Sequence, residues 1–274
     1  MPELPEVETI VRDLRPHLVG LRIAGLQLNH PSVLRFPDPV SLRARAEGQS
    51  IRGVRRRGKF IHLVLDSGDH LVIHLGMSGT LTLEPERAPL RPHTHLAVGV
   101  PGAGELRYRD PRRFGRVLLG RPGRLRRAGV LPRLGPEPLA RGFAASSFGP
   151  ALQRTRRPLK AALLDQAVVA GCGNIYADEA CFEARLRPGR PGASLSQAEV
   201  ERLARALRRV MRRAVRRRGT SFSDYRDGFG ARGEAYEQLR VYGRGGLPCI
   251  RCGATLRQGR IAGRTTVWCA ECQS

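Results

Sequence analysis

Lysine is almost missing from this chain. Of its 48 basic residues only Lys59 and Lys160 are lysines, and the other 46 are arginines. So strong a bias reflects the coding habits of the source, and arginine abundance alone says little. Each surviving lysine instead marks a place where a compact ammonium is needed and a guanidinium fork will not serve. Long apolar runs are missing too, since none approaches the roughly eighteen residues of a membrane span. The acidic start Met1-Pro2-Glu3-Leu4-Pro5-Glu6-Val7-Glu8 lacks the basic and apolar regions of a secretory leader. These absences argue against a membrane partner and predict a soluble, cytoplasmic protein. No internal repeat is present. Acids are scarce: 24 against 48 bases, a formal net charge of +24. That excess predicts a polyanionic partner, because each phosphate neutralised by a basic side chain releases counterions and adds sequence-independent affinity.

The 274 residues suffice for two domains with cores of their own. Val7, Ile10, Val11, Leu14 and Leu18 recur at helical spacing and predict a first helix from Pro5 to about Pro16. The period then changes: Phe60–Leu65 and His70–Leu75 read as two strands around an Asp-Ser-Gly-Asp turn. Further strands are expected at Arg22–Leu28, Thr80–Leu83, His95–Val100, Glu105–Tyr108 and Arg116–Leu119, which together suggest a β-sandwich. A Pro-, Gly- and Arg-rich stretch from Gly120 to Pro138 marks a domain boundary. Beyond it, helices are expected over Leu159–Val169, Asn174–Leu186 and, opened by the capping box Ser196-Gln197-Ala198-Glu199, up to about Arg217. The last carries a core stripe of Val200, Leu203, Leu207, Val210 and Ala214, and an arginine flank that faces either solvent or phosphate. Gly219–Gly233, with Phe222, Tyr225 and Phe229 interspersed, reads as a mobile lid with few regular contacts.

Cys249-x2-Cys252 and Cys269-x2-Cys272, sixteen residues apart, have the spacing of a four-thiolate zinc site with a hairpin between two knuckles. A pair of disulfides is the alternative. A closed four-thiolate site leaves no position for water and is therefore structural. Cys172 and Cys181 are expected to be buried thiols. The start of the chain carries a different chemistry. Removal of Met1 would free the secondary amine of Pro2 beside the Glu3 carboxylate. An α-amino group titrates near about 7.7–8.0, so far more of it is neutral at pH 7 than of a lysine. Attack of that amine on a sugar carbon gives an iminium, an electron sink for covalent catalysis. The same residues also read as an ordinary helix start, with a proline in the first turn and acids toward the dipole.

The octapeptide start, His74-Leu75-Gly76-Met77-Ser78-Gly79, Asp110-Pro111-Arg112-Arg113-Phe114-Gly115, Ala170-Gly171-Cys172-Gly173-Asn174 and the cysteine pairs together span nearly the whole chain. In combination they resemble the bacterial formamidopyrimidine-DNA glycosylases. The resemblance implies an α+β chain with an N-terminal β-sandwich and flanking helix (1–130), a helical domain with a helix-two-turn-helix (131–240) and a zinc hairpin (241–274). It implies a monomer clamping damaged double-stranded DNA in a basic cleft, with one structural Zn²⁺. Pro2 would be the nucleophile and Glu3 its proton-transfer partner, with Lys59 and Arg264 as acids in the elimination steps. His74, His93, Asn174, Tyr242 and Arg264 would contact phosphate, joined by their basic neighbours Arg156 and Arg157, and Lys160 would sit near the edge of the binding face. A glycosylase must extrude its target base at a cost of a few kcal/mol, so something must occupy the void. Met77 and Phe114 would fill it and Arg112 would hydrogen-bond the orphaned base. Taken singly, Met77 and Phe114 read as core. Two departures stand out: Cys172 where an aliphatic residue is usual, and the individual Gly219–Gly233 lid. The rivals are an endonuclease VIII-type glycosylase for oxidised pyrimidines and a non-catalytic zinc-dependent DNA-binding protein.

Overall fold

Val7, Ile10, Val11, Leu14 and Leu18 line one buried face of helix α1 (Leu4–Leu18), which keeps Pro16 within its last turn. The computed structural model describes residues 1–221 and 224–274, so Phe222 of the expected lid lies outside the described residues. The chain divides into two units, Met1–Arg133 with Arg217–Glu234, and Leu134–Arg216 with Ala235–Ser274.

In the first unit the chain continues through β1 (Gly25–Leu28), β2 (Leu34–Phe36), α2 (Pro39–Ala46), β3 (Ile51–Arg57), β4 (Phe60–Leu65), β5 (His70–His74), β6 (Thr80–Glu84), β7 (Thr94–Val100), β8 (Gly104–Arg109), β9 (Arg116–Gly120) and α3 (Pro122–Arg127). A four-stranded sheet has the order β1-β7-β8-β6 and a five-stranded sheet the order β2-β9-β5-β4-β3. The β4–β5 hairpin pairs Phe60 with His74 and Val64 with His70. Period two sends Ile61, Leu63, Leu71 and Ile73 into one core with Leu81, Val98, Leu106 and the α1 stripe. The first expected strand begins only at Gly25; Arg22 makes an isolated bridge with Ser50. Strand β3 escaped the pattern reading because arginines fill positions 52, 55, 56 and 57 and a register shift between Ile51 and Gly53 breaks the alternation.

The second unit holds α4 (Ala145–Gln153), α5 (Leu159–Leu164), α6 (Asn174–Glu183), α7 (Gln197–Arg216) and the hairpin β10 (Arg257–Ile261) and β11 (Arg264–Trp268). Helix α5 stops five residues short of its expected end. Asp165 is extended and its carboxylate accepts from the Ala167 N–H at 2.9 Å, an Asx turn that outcompetes another helical turn. Helix α6 ends early in a Schellman motif, with Arg185 left-handed at φ +57° and the Leu186 N–H on the Cys181 carbonyl. The capping box of α7 forms as expected: Glu199 N–H donates to Ser196 Oγ (3.3 Å) and Ser196 N–H to Glu199 Oε2 (2.9 Å).

The Gly219–Gly233 stretch departs from expectation. It packs with the first unit, interrupting the 131–240 range, and its described residues are densely bonded: Thr220 and Gly228, with the preceding Arg218, donate to carboxylates of α1, and Tyr225 joins the core. Short polar residues concealed this order, because their partners are more than two hundred positions away.

Candidate active site

Pro2 and Glu3 are buried behind a half-exposed Met1. With Met1 attached the Pro2 nitrogen is an amide; its removal gives the secondary amine. Glu3 is the extended N-cap of α1 and shares a capping box with Glu6. The Glu3 N–H donates to Glu6 Oε2 at 2.8 Å, and the other Glu6 oxygen accepts from the Thr220 N–H at 2.8 Å. Gly219 makes that approach possible: its φ is +83° and a Cβ there would stand 3.0 Å from the Glu6 carboxylate. Glu6 is thus both helix start and brace.

Lys59 follows Gly58 in the β3–β4 turn and is 6% exposed. Burial first, then the charges of Lys59 and Arg116, hold the His74 imidazole down at about 4, with Asp110 opposing. His74 Nδ1 accepts from the Gly76 N–H at 3.2 Å, so the proton of the neutral ring sits on Nε2. The fully buried Asp110 organises the two neighbouring loops. Its carboxylate accepts from Ser78 Oγ (2.7 Å), Tyr108 Oη (3.0 Å), the Arg112 N–H (3.3 Å) and the Gly115 N–H (2.8 Å). Its own N–H donates to the carbonyl of His93, an exposed residue at φ +67°. A Cβ on Gly76 would lie 2.5 Å from the Gly115 nitrogen, so the loops touch through bare backbone. From them Met77 (36% exposed) and Phe114 (53%) project outward. Their reading as core residues therefore fails. The Arg112 guanidinium lies 4.7 Å over the Phe114 ring, giving an apolar wedge with a cationic fork beside it.

In the second unit, Gln166 clamps the turn before α6, accepting from the Gly171 N–H (2.8 Å) and donating to the Cys172 carbonyl (2.7 Å). Asn174 opens α6; its Nδ2 donates to Tyr242 Oη at 3.4 Å, and its Oδ1 is buried with no hydrogen-bond partner among the described residues. Glu179 fixes the Tyr242 backbone by accepting from the Arg240, Val241 and Tyr242 N–H groups at 2.9–3.0 Å. Burial pushes the Glu179 carboxyl up, against the pull of those three donors. Lys160 is not at a surface edge. It is fully buried, paired with Asp178 at 2.7 Å and donating to the Thr265 carbonyl at 2.7 Å. Asp178 also accepts from the Val267 N–H, so the pair fastens β11, whose first residue is the exposed Arg264. Arg156 is exposed, and Arg157 pairs with Asp165 at 2.9 Å. Cys172 and Cys181 are buried, as expected.

The Sγ atoms of Cys249, Cys252, Cys269 and Cys272 lie within 4.8 Å of one another. Cys249–Cys272 and Cys252–Cys269 are separated by 3.9 and 3.5 Å. A tetrahedral centre with Zn–S bonds of about 2.3 Å requires S···S of about 3.8 Å, whereas a disulfide requires about 2.05 Å. The set fits a four-thiolate metal, and the disulfide alternative fails because all the cysteines are free. The residues to which sequence reasoning gave no role, Asp110, Gln166, Asp178 and Glu179, act through backbone and side-chain partners that the fold brings to them; the signal available was a pair of adjacent acids inside the apolar α6.

Residues 1–117 match the formamidopyrimidine-DNA glycosylase N-terminal domain, 134–226 the formamidopyrimidine-DNA glycosylase H2TH domain, and 246–274 the zinc finger found in FPG and IleRS. A formamidopyrimidine-DNA glycosylase of Moorella thermoacetica is 48% identical, with 95% of each chain covered. The crystal structure of the MutM (Fpg) protein of Thermus thermophilus superposes with a TM-score of 0.88 at 47% identity, covering 99% of this chain and 98% of that one. A Lactococcus lactis FPG in complex with Fapy-dG-containing DNA superposes with a TM-score of 0.89 at 32% identity, covering 99% of both chains.

Proposed function

The chain belongs to the formamidopyrimidine-DNA glycosylases, and from that premise we propose that it excises oxidised purines, 8-oxoguanine and formamidopyrimidines, from double-stranded DNA and then cuts the strand. The observation that carries this reading is the buried Pro2–Glu3 start braced by Glu6. Once Met1 is removed, the Pro2 amine attacks the anomeric carbon of the extruded nucleotide while Glu3 transfers a proton. The glycosidic electron pair leaves with the base and the amine gives up its proton; the C1′–O4′ bond of the sugar then opens, with Glu3 delivering the proton to the ring oxygen, so that an iminium joins Pro2 to the opened sugar. That cation acidifies the adjacent sugar proton. β-Elimination and then δ-elimination expel the two phosphates in turn, with Lys59 and Arg264 as acids, leaving a one-nucleotide gap.

Binding is shared among the remaining residues. Met77 and Phe114 fill the void, Arg112 hydrogen-bonds the orphaned base, and His74, His93, Arg156, Asn174 and Tyr242 contact phosphate. His74 does so as a neutral Nε2–H donor. Residues 1–130 carry the nucleophile and its proton-transfer partner, 131–240 outside the segment joined to the first unit carry the helix-two-turn-helix, and 241–274 form the hairpin that bears Arg264. Cys249, Cys252, Cys269 and Cys272 would hold one Zn²⁺, which supplies only the cross-link that keeps β10–β11 in shape. The enzyme acts as a monomer, in the cytoplasm and at the nucleoid.

Glu3→Gln tests the assignment. Excision of 8-oxoguanine opposite cytosine falls by about a hundredfold or more, while affinity for a duplex with an uncleavable abasic analogue is kept. Undiminished excision would remove Glu3 from the chemistry. A wild type that excises thymine glycol and leaves 8-oxoguanine would favour the endonuclease VIII-type rival.

A further inference from the structure

Glu6 and Asp13 are seven residues apart on α1, two helical turns, so their side chains share a face. Glu6 holds the start of the 217–234 segment through the Thr220 N–H. Asp13 ties the start of the segment to its far part: Oδ2 accepts from Arg218 Nη2 at 2.7 Å and from the Gly228 N–H at 3.1 Å. The same guanidinium donates to Asp227 Oδ2 from Nε (3.0 Å) and Nη2 (2.5 Å). The other Asp227 oxygen accepts from the Phe229 and Ala231 N–H groups at 3.0 and 2.9 Å. Asp227 is 1% exposed and Asp13 9%. The fit is close, since a Cβ on Gly228 would stand 2.8 Å from that of Asp13. The Leu83 N–H on the Gly228 carbonyl adds a tie to β6.

One cation between two largely buried carboxylates contributes geometric definition more than raw stability. Both ties fasten described residues of the segment to one rigid helix. We propose that Asp13, Arg218 and Asp227 are positioning residues for base excision. They register the segment on α1 so that the Thr220 N–H and the Tyr225 hydroxyl reach Glu6, which holds the Glu3 backbone beside the nucleophile. The inference rests on the glycosylase reading above. Expelling a base requires base, Glu3 and amine to be aligned together. A preformed abasic site presents an aldehyde with no base to seat and is less sensitive to that alignment.

The test compares single-turnover cleavage of an 8-oxoguanine duplex and of an abasic duplex by the full chain, Asp13→Ala and Asp13→Asn, with melting temperatures alongside. Alanine is the best helix former, so α1 survives the substitution. Asp13→Ala slows excision on the order of a hundredfold with abasic cleavage kept within about threefold, as a displacement of about an ångström predicts. Asp13→Asn, which retains an acceptor for the Gly228 N–H, restores most of the loss. Equal losses on both duplexes with a lowered melting temperature, or no loss on either, overturn the positioning role. A wild type inactive on both duplexes overturns the glycosylase reading and the inference with it; an active wild type matched by Asp13→Ala overturns the inference alone.

Discussion

His74 and His62 show how single residues set the pH dependence of stability. Burial, then Lys59 and Arg116, hold His74 at about 4; burial, then His70 and Arg57, hold His62 at about 3. Both lie below the unfolded value near 6.5, so between those limits the unfolded chain binds more protons and stability rises with pH. The melting temperature should therefore be level above pH 7 and fall as the pH drops from 6.5 toward 4. At about 1.4 kcal/mol per pKa unit, His74 alone contributes on the order of 3 kcal/mol to that loss. Melting curves of His74→Gln across this range should be flatter than those of the wild type; identical slopes would contradict the assignment. Pro2, Glu3 and the four clustered cysteines could be named as candidates from the sequence because the chemistry proposed for them is local in the chain. Asp110, Asp227 and Glu179 were not, because a buried acid gains meaning only from N–H groups that the fold brings to it.

At the scale of elements, the two loops carrying Met77, Arg112 and Phe114 depend on residues without side chains. A Cβ on Gly115 would lie 1.9 Å from Tyr108 Oη and 2.5 Å from the His74 carbonyl. Gly115→Ala should cost about 1–3 kcal/mol by overpacking and weaken binding to an abasic-analogue duplex, as read by melting and titration; unchanged values in both would mean that the loops are not so coupled. The β10–β11 hairpin packs on a small cluster of Phe182, Val241, Leu256, Val267 and two cysteines, so under the proposed four-thiolate site its shape depends on the bound metal. The purified protein should carry one zinc per chain. Chelation should abolish duplex binding, and retained binding by a metal-free chain would contradict the structural role. Strands β4 to β9 were legible from period two, and α7 from its capping box and stripe. Strand β3 was hidden by its arginines and bulge, and the ends of α5 and α6 by an Asx turn and a left-handed arginine that propensity does not anticipate.

For the whole molecule, the family, the two kinds of architecture and the polyanion preference implied by a net charge of +24 were all readable before any fold was seen. The return of residues 217–234 to the first unit was not, because carboxylates of the first helix hold a segment beginning about two hundred residues later. The central claim is that the chain's own N-terminal amine is the nucleophile. The most direct test is to mix the full chain, with methionine removal verified by mass, with a duplex carrying 8-oxoguanine opposite cytosine, reduce with borohydride, and weigh the N-terminal peptide. A stable sugar adduct on the Pro2 nitrogen is the predicted result. Tight binding with no adduct, or an adduct on Lys59, would contradict it.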